Sequence, residues 1–212
     1  MSKLVLLICM LCVCIGCALG PSRLKDLGHV SASSNGPLKG LCLSVEVKDD
    51  RDDKSIYLMG AFNIFRQEAQ HHIPFIRSEF GMAAKARGAK VGGNCPNGPL
   101  GGRSVHVAIQ DLVYDTAWGY PITDHEFDVA MDVKLFNGSR TMMHEIKHHS
   151  SNRALCGGDC SNFSHQDLPK RCSLEIRRLV EFFYDNSQVK AFLKQKTELS
   201  DAPATAQKIT DY

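Results

Sequence analysis

Residues 125–149 read HEFDVAMDVKLFNGSRTMMHEIKHH. Phe127, Val129, Met131, Val133 and Leu135 alternate with Glu126, Asp128, Asp132 and Lys134, the two-residue period of a strand with one buried face. The run stops at Asn137-Gly138, a dipeptide that tolerates the positive φ of a tight hairpin turn. With Asn137 and Gly138 as the loop, Phe136 pairs with Ser139. The later pairs then set Asp128 against Lys147 and Glu126 against His149 on the solvent face, and Val133 against Met142 and Val129 against Ile146 on the other. Polar and apolar sets fall into register together, as a real hairpin requires.

The return strand contains a competing motif. Residues 141–149, TMMHEIKHH, include His144-Glu145-x-x-His148, the H-E-x-x-H of zinc hydrolases. That motif works on a helix, where positions i and i+4 share a face and Glu145 would activate a metal-bound water. A third ligand is also needed. His165, Glu175, Cys156 and Cys160 are available, but no downstream motif selects among them, and Lys147 puts a charge where such a helix meets its core. On a strand, His144 and His148 lie about 13 Å apart on one face and Glu145 points to the other, so the three cannot hold one ion. The strand reading therefore leads, with no metal and no cofactor. A small secreted zinc hydrolase using His144, Glu145 and His148 is the alternative. One oddity remains: the inner face must accommodate Arg140, His144 and His148, so it is partly open or polar-lined.

The chain has 212 residues, 43% hydrophobic and 23% charged, with a formal charge of +2. That suits one globular domain and gives no reason to expect nucleic acid as a partner. Nine cysteines are present, four of them (Cys9, Cys12, Cys14 and Cys17) in the N-terminal run MSKLVLLICMLCVCIGCALG. Lys3 precedes an uncharged apolar stretch from Leu4 to Gly16, the layout of a secretory signal and too short for an ordinary membrane span. Ala18-Leu19-Gly20 has the small-x-small look of a signal-peptidase site, but Pro21 follows it. Val13-Cys14-Ile15-Gly16-Cys17 resembles a bacterial lipobox, with Cys14 where the pattern usually has Leu. That resemblance implies lipid attachment at Cys17 and a signal peptide over residues 1–16. Several acyl chains would give stable membrane anchoring.

Residues 17–40, rich in Ser, Gly and Pro, read as a flexible tether. Residues 41–196 form the folded domain and 197–212 a polar, disordered tail. Leu41 to Val47 alternates as a strand, and residues 49–54 (DDRDDK) read as a solvated charged loop. His71-His72 stands at the surface near the start of a helix. Pro74 lies in that helix's first turn, Ile76, Phe80 and Ala84 form its apolar stripe, and Gly88 caps its end. Ala89-Lys90-Val91 is a short strand, and Val105, Val107 and Ile109 mark another. Ile176, Leu179, Val180 and Phe183 follow the helical period from near Pro169. Ser187 caps a final turn or two carrying Val189, Phe192 and Leu193. In an oxidising envelope a Cys156–Cys160 disulfide would staple the intervening glycine loop. Connectivity among Cys42, Cys95, Cys156, Cys160 and Cys172 is otherwise open, and their odd number leaves one thiol free or paired between chains.

Taken in order, the CIGC at the lipobox, LCLSVEV with KDDRDDK, AKARGAKVGG, SVHVAIQDLVY, the hairpin and SLEIRRLVEFFYDNSQVKAFLKQ resemble the YajG-type family of bacterial outer-membrane lipoproteins. The likeness covers roughly residues 41–196. It departs from the family at the glycine-cysteine loops around Cys95 and Cys156–Cys172 and in its many histidines. It implies an α+β domain, a mainly antiparallel sheet of about four to five strands packed by two main helices. It also implies a non-enzymatic protein anchored to the bacterial outer membrane through Cys17 and facing the periplasm. Expected partners are the membrane and other envelope proteins, with no small-molecule substrate and no catalytic residue.

Overall fold

The computed structural model describes residues 33, 35–59, 65–68, 71–92, 103–119, 122–155 and 168–195. In chain order the elements are β1 (Cys42–Asp49), β2 (Ser55–Met59), β3 (Phe65–Glu68), α1 (His72–Ala86), β4 (Lys90–Val91), β5 (Arg103–Gly119), β6 (Ile122–Asn137), β7 (Arg140–Leu155), α2 (Leu168–Asp185) and α3 (Ser187–Lys194). The expected α+β architecture is there: one mixed, mostly antiparallel sheet with helices against it. Among the described residues the sheet has seven strands, two of them only two and four residues long.

β5 is the spine. One edge runs antiparallel to β6 over its whole length. The other edge is shared end to end by β1, parallel over Leu43–Asp49, and β2, parallel over Tyr57–Met59. A β-bulge at Gln110 in β5 falls where β1 stops and β2 has yet to begin. β6 then pairs with β7.

The hairpin differs from expectation in one respect. Asn137 pairs with Arg140, so the two-residue loop is Gly138-Ser139 and every later pair moves by two. Asp128 faces His149, Ala130 faces Lys147, Val133 faces His144 and Val129 faces His148. A shift of two keeps every side chain on its face, so the inward and outward sets are unchanged. Gly138 has φ +62 at the first loop position, where a type II′ turn requires glycine. Asn137 stays in the ladder because its side chain is occupied: Nδ2 donates to the carbonyls of Phe192 and Gln195, both at 2.9 Å, at the end of α3.

Burial alternates as the period demands. Phe127, Val129, Met131, Val133 and Leu135 are buried under the helices, together with Val105, Val107 and Ile109. Lys134, Thr141, Met143, Glu145 and Lys147 are exposed on the opposite face. From α1, Ile76, Phe80 and Ala84 are fully buried. From α2, Ile176, Val180, Phe183 and Tyr184 join them, with Leu179 half-buried against the cluster. Phe80 meets Phe183 and Tyr184 edge-on, at 5.5 and 6.1 Å between centroids. A bidentate ion pair between Arg177 and Glu79, at 2.8 and 2.9 Å, ties the two helices.

Two boundaries move. Residues 35–40, read as the end of the tether, form turns, and Leu38 is fully buried with its N–H on Arg87 O at 2.7 Å. Gly36 permits that approach, since a Cβ there would lie 2.3 Å from the Arg87 carbonyl carbon. At the other end Asn186, rather than Ser187, caps α3: its Oδ1 accepts from Gln188 N and Val189 N at 2.8 and 3.4 Å. Gly88, the expected cap of α1, has φ +91.

Candidate functional site

TMMHEIKHH lies within β7, so the helical zinc arrangement has no geometry to stand on. His144 and His148 are half-buried on the helix-facing side. The His144 ring is 5.4 Å from that of Phe183, and the His148 ring 6.2 Å from that of Phe127. Glu145 points the other way and pairs with Lys147 at 2.5 Å. Glu175, one of the nominated third ligands, sits on α2 and accepts from Arg178 at 3.0 Å. Among the described residues no group of three or more His, Cys, Asp or Glu is placed to hold a metal. The inner face admits these histidines by covering them with aromatic rings. His148 Nε2 is buried there without a hydrogen-bond partner. Arg140 is exposed and donates to Gln195 Oε1 at 3.1 Å.

A cavity of about 360 Å³ opens where the start of α2 crosses the sheet. Register builds its floor: Tyr114 pairs with Phe127 and Phe127 with Ser150, so three neighbouring strands place these side chains in a row. Helical period builds its roof, since Arg171, Leu174, Glu175 and Arg178 are spaced i, i+3, i+4 and i+7. Burial pushes the Tyr114 phenol up, while the Arg171 hydrogen bond and charge act the other way. An aromatic floor, an exposed Leu174 and two guanidinium groups suit a ligand with an apolar body and a polar end.

A second polar centre lies under the N-terminus of α1, in the segment read as a solvated loop. Solvent does not reach it: the Asp49 and Arg51 side chains are each only 4% exposed. Arg51 Nε and Nη2 donate to the two carboxylate oxygens of Asp49 at 2.9 and 2.8 Å, and Nη1 donates to Leu112 O at 2.9 Å. That last bond serves a β5 carbonyl just past the bulge, between the partners β1 and β2. His72 Nε2 lies 2.6 Å from Asp49 Oδ2, so this histidine is a half-buried partner, whereas His71 is exposed as expected. His71 takes φ 65, an uncommon conformation for a non-glycine residue, in turning the chain into α1. Lys54 Nζ reaches Asp49 O at 3.0 Å and also Arg51 O. Burial alone would raise the Asp49 carboxyl. The Arg51 and His72 hydrogen bonds and the Arg51 charge outweigh it and hold the group well below the usual carboxylate range. These bonds join the end of β1, the turn after it, β5 and the start of α1, so the centre is a structural joint.

Cys42, at the start of β1, is disulfide-bonded. Cys172 on α2 is a buried free thiol, pushed up by its burial. Cys17, Cys95, Cys156, Cys160 and His165 lie outside the described residues, as do the signal peptide and the tail. No described helix is long and apolar enough to cross a membrane. The row of three cavity side chains had no signal in the sequence because it depends on a register between distant strands. The helix spacing of Arg171, Leu174, Glu175 and Arg178 could have been seen.

No family model matches the chain, and no curated protein matches it. Solved structures share a low likeness of fold. One is a minor lipoprotein from Acinetobacter baumannii, at 12% identity over 71% of this chain and 91% of that one, with a TM-score of 0.41. Another is a neuraminyllactose-binding hemagglutinin homolog from Helicobacter pylori, at 6% identity over 81% and 96%, also with a TM-score of 0.41. A third, an uncharacterized protein, has 11% identity over 71% and 94% and a TM-score of 0.37.

Proposed function

We propose that this chain is a non-enzymatic, lipid-anchored lipoprotein of YajG-like type, held in the bacterial outer membrane through Cys17 with its α+β domain facing the periplasm. The domain binds or scaffolds other envelope proteins. The observation that carries this reading is the uncharged apolar run from Leu4 to Gly16 ending directly at Cys17. A thioether-linked diacylglyceryl group there, with a third chain on the new amino terminus, would bury enough methylenes for stable attachment. The cavity under α2 offers the domain a concave contact of its own, suited to an apolar side chain flanked by charge.

Cys17→Ser tests this directly. The full chain, expressed in a bacterium with radiolabelled palmitate, should carry label and sediment with membranes, and the variant should lose both. Unchanged membrane fractionation of the variant would defeat the proposal.

A further inference from the structure

Among the described residues β7 pairs with β6 alone, so the other edge of this sixteen-residue strand has no strand beside it. Long open edges are templates for another strand, and soluble proteins usually blunt them with proline, bulges or inward charges. β7 has no proline, its pairing with β6 runs unbroken from Ile122↔Leu155 to Asn137↔Arg140, and its inward charge, Arg140, sits at the very start of the strand. The three exposed large hydrophobics among the described residues, Met143, Leu174 and Phe182, lie on β7 or on α2 above it.

The outward face of β7 narrows the choice of occupant, because its charges are complementary to their own reverse. A two-fold axis perpendicular to the sheet keeps the apolar sides of both copies together only if the axis passes through a residue. Through Ile146, it sets Glu145 of each copy against Lys147 of the other, Met143 against His149, and Ile146 against its own copy on the buried side. Moving the axis one residue either way sets glutamate against glutamate or lysine against lysine. Opposite charges facing each other across a strand pair stabilise it, and like charges destabilise it. One register is therefore favoured and its neighbours are disfavoured.

We propose that β7 is a homodimer interface, in which two copies pair antiparallel about Ile146 into one sheet running through both domains. The inference does not depend on acylation at Cys17.

The purified protein, in density-matched detergent, should sediment at twice the mass of one chain as mass spectrometry gives it. Glu145→Lys alone and Lys147→Glu alone should each weaken the dimer about tenfold or more, and the two together should restore it. All four residues of the restored pairs lie on exposed positions, so circular dichroism should be the same throughout. Met143→Cys with His149→Cys should, on oxidation, give a covalent dimer, since within one chain these sites are about 20 Å apart. A chain that stays at its own mass at all concentrations overturns the proposal and leaves the edge to a strand from another protein. Dimers indifferent to single reversal, or lost equally in the double variant, also overturn it.

Discussion

Asp49 joins β1, the charged turn after it and the start of α1 through one carboxylate. Its pKa lies below the unfolded value of 3.8. The stability it contributes is therefore complete above that value and is lost as pH falls from there through the folded-state pKa. In Asp49→Asn the buried Arg51 guanidinium loses the Asp49 charge beside it, which costs about 3–5 kcal/mol near neutral pH. Urea titrations at stepped pH should show wild type and variant far apart at pH 7 and converging below about pH 4. Parallel curves across that range would mean that the carboxylate does not carry the charge balance of this joint. Little of this was legible in DDRDDK. Charge density alone resembles a solvated loop, and the carbonyl that Arg51 satisfies belongs to Leu112, sixty-one positions away.

Among the elements, the hairpin was almost wholly readable, because its alternation is local and its two faces differ in polarity along the whole length. The two-residue slip in pairing came from Asn137. As a turn residue it would leave the ladder. Its amide instead caps α3, beside Arg103, whose Nε donates to Leu193 O at 2.8 Å. No local pattern joins residue 137 to residues 192–195. Cations and donors at a helix C-terminus satisfy the last carbonyls, so Asn137→Ala takes one donor from each of two, leaving Gln195 O with Arg103 Nη2 at 3.1 Å and Phe192 O with Gln195 N at 3.3 Å. The expected loss is about 1–3 kcal/mol, read as a lower urea midpoint, with amide exchange in α3 speeding up more than in β6. Equal acceleration in both elements would argue against a local capping role. The helices α1 and α2 were legible for the same reason as the hairpin, since each has its apolar period written along it.

For the whole molecule, what sequence patterns miss is how distant pieces meet. The parallel pairing of β1 and β2 along β5, and the addition of β3, have no local signature, so the sheet grew beyond the expected four to five strands. The two main helices are fastened by Arg177 and Glu79, whose side chains are 16% and 3% exposed. Glu79→Ala should cost about 1–3 kcal/mol by removing both charged hydrogen bonds between the helices. Calorimetry should still show one cooperative transition at a lower temperature. Two separate transitions would indicate that the helices are not one unit with the sheet.

The shared edge of β5 also sets an order of events in time. Ser44 bonds into the sheet opposite Ser104, sixty positions later in the chain, while β6 and β7 need only a two-residue loop to meet. Contacts of short separation close first, and distant ones wait for the chain between them. The β6–β7 ribbon is thus the natural nucleus, and β1 and β2 dock on β5 later. As the chain emerges from its N-terminus, the first strand to appear has no neighbour until β4 follows, and its longer pairing waits for β5. Throughout that interval an apolar strand bearing the Cys42 thiol is open to wrong partners, and folding yield should depend on how quickly the rest of the chain arrives.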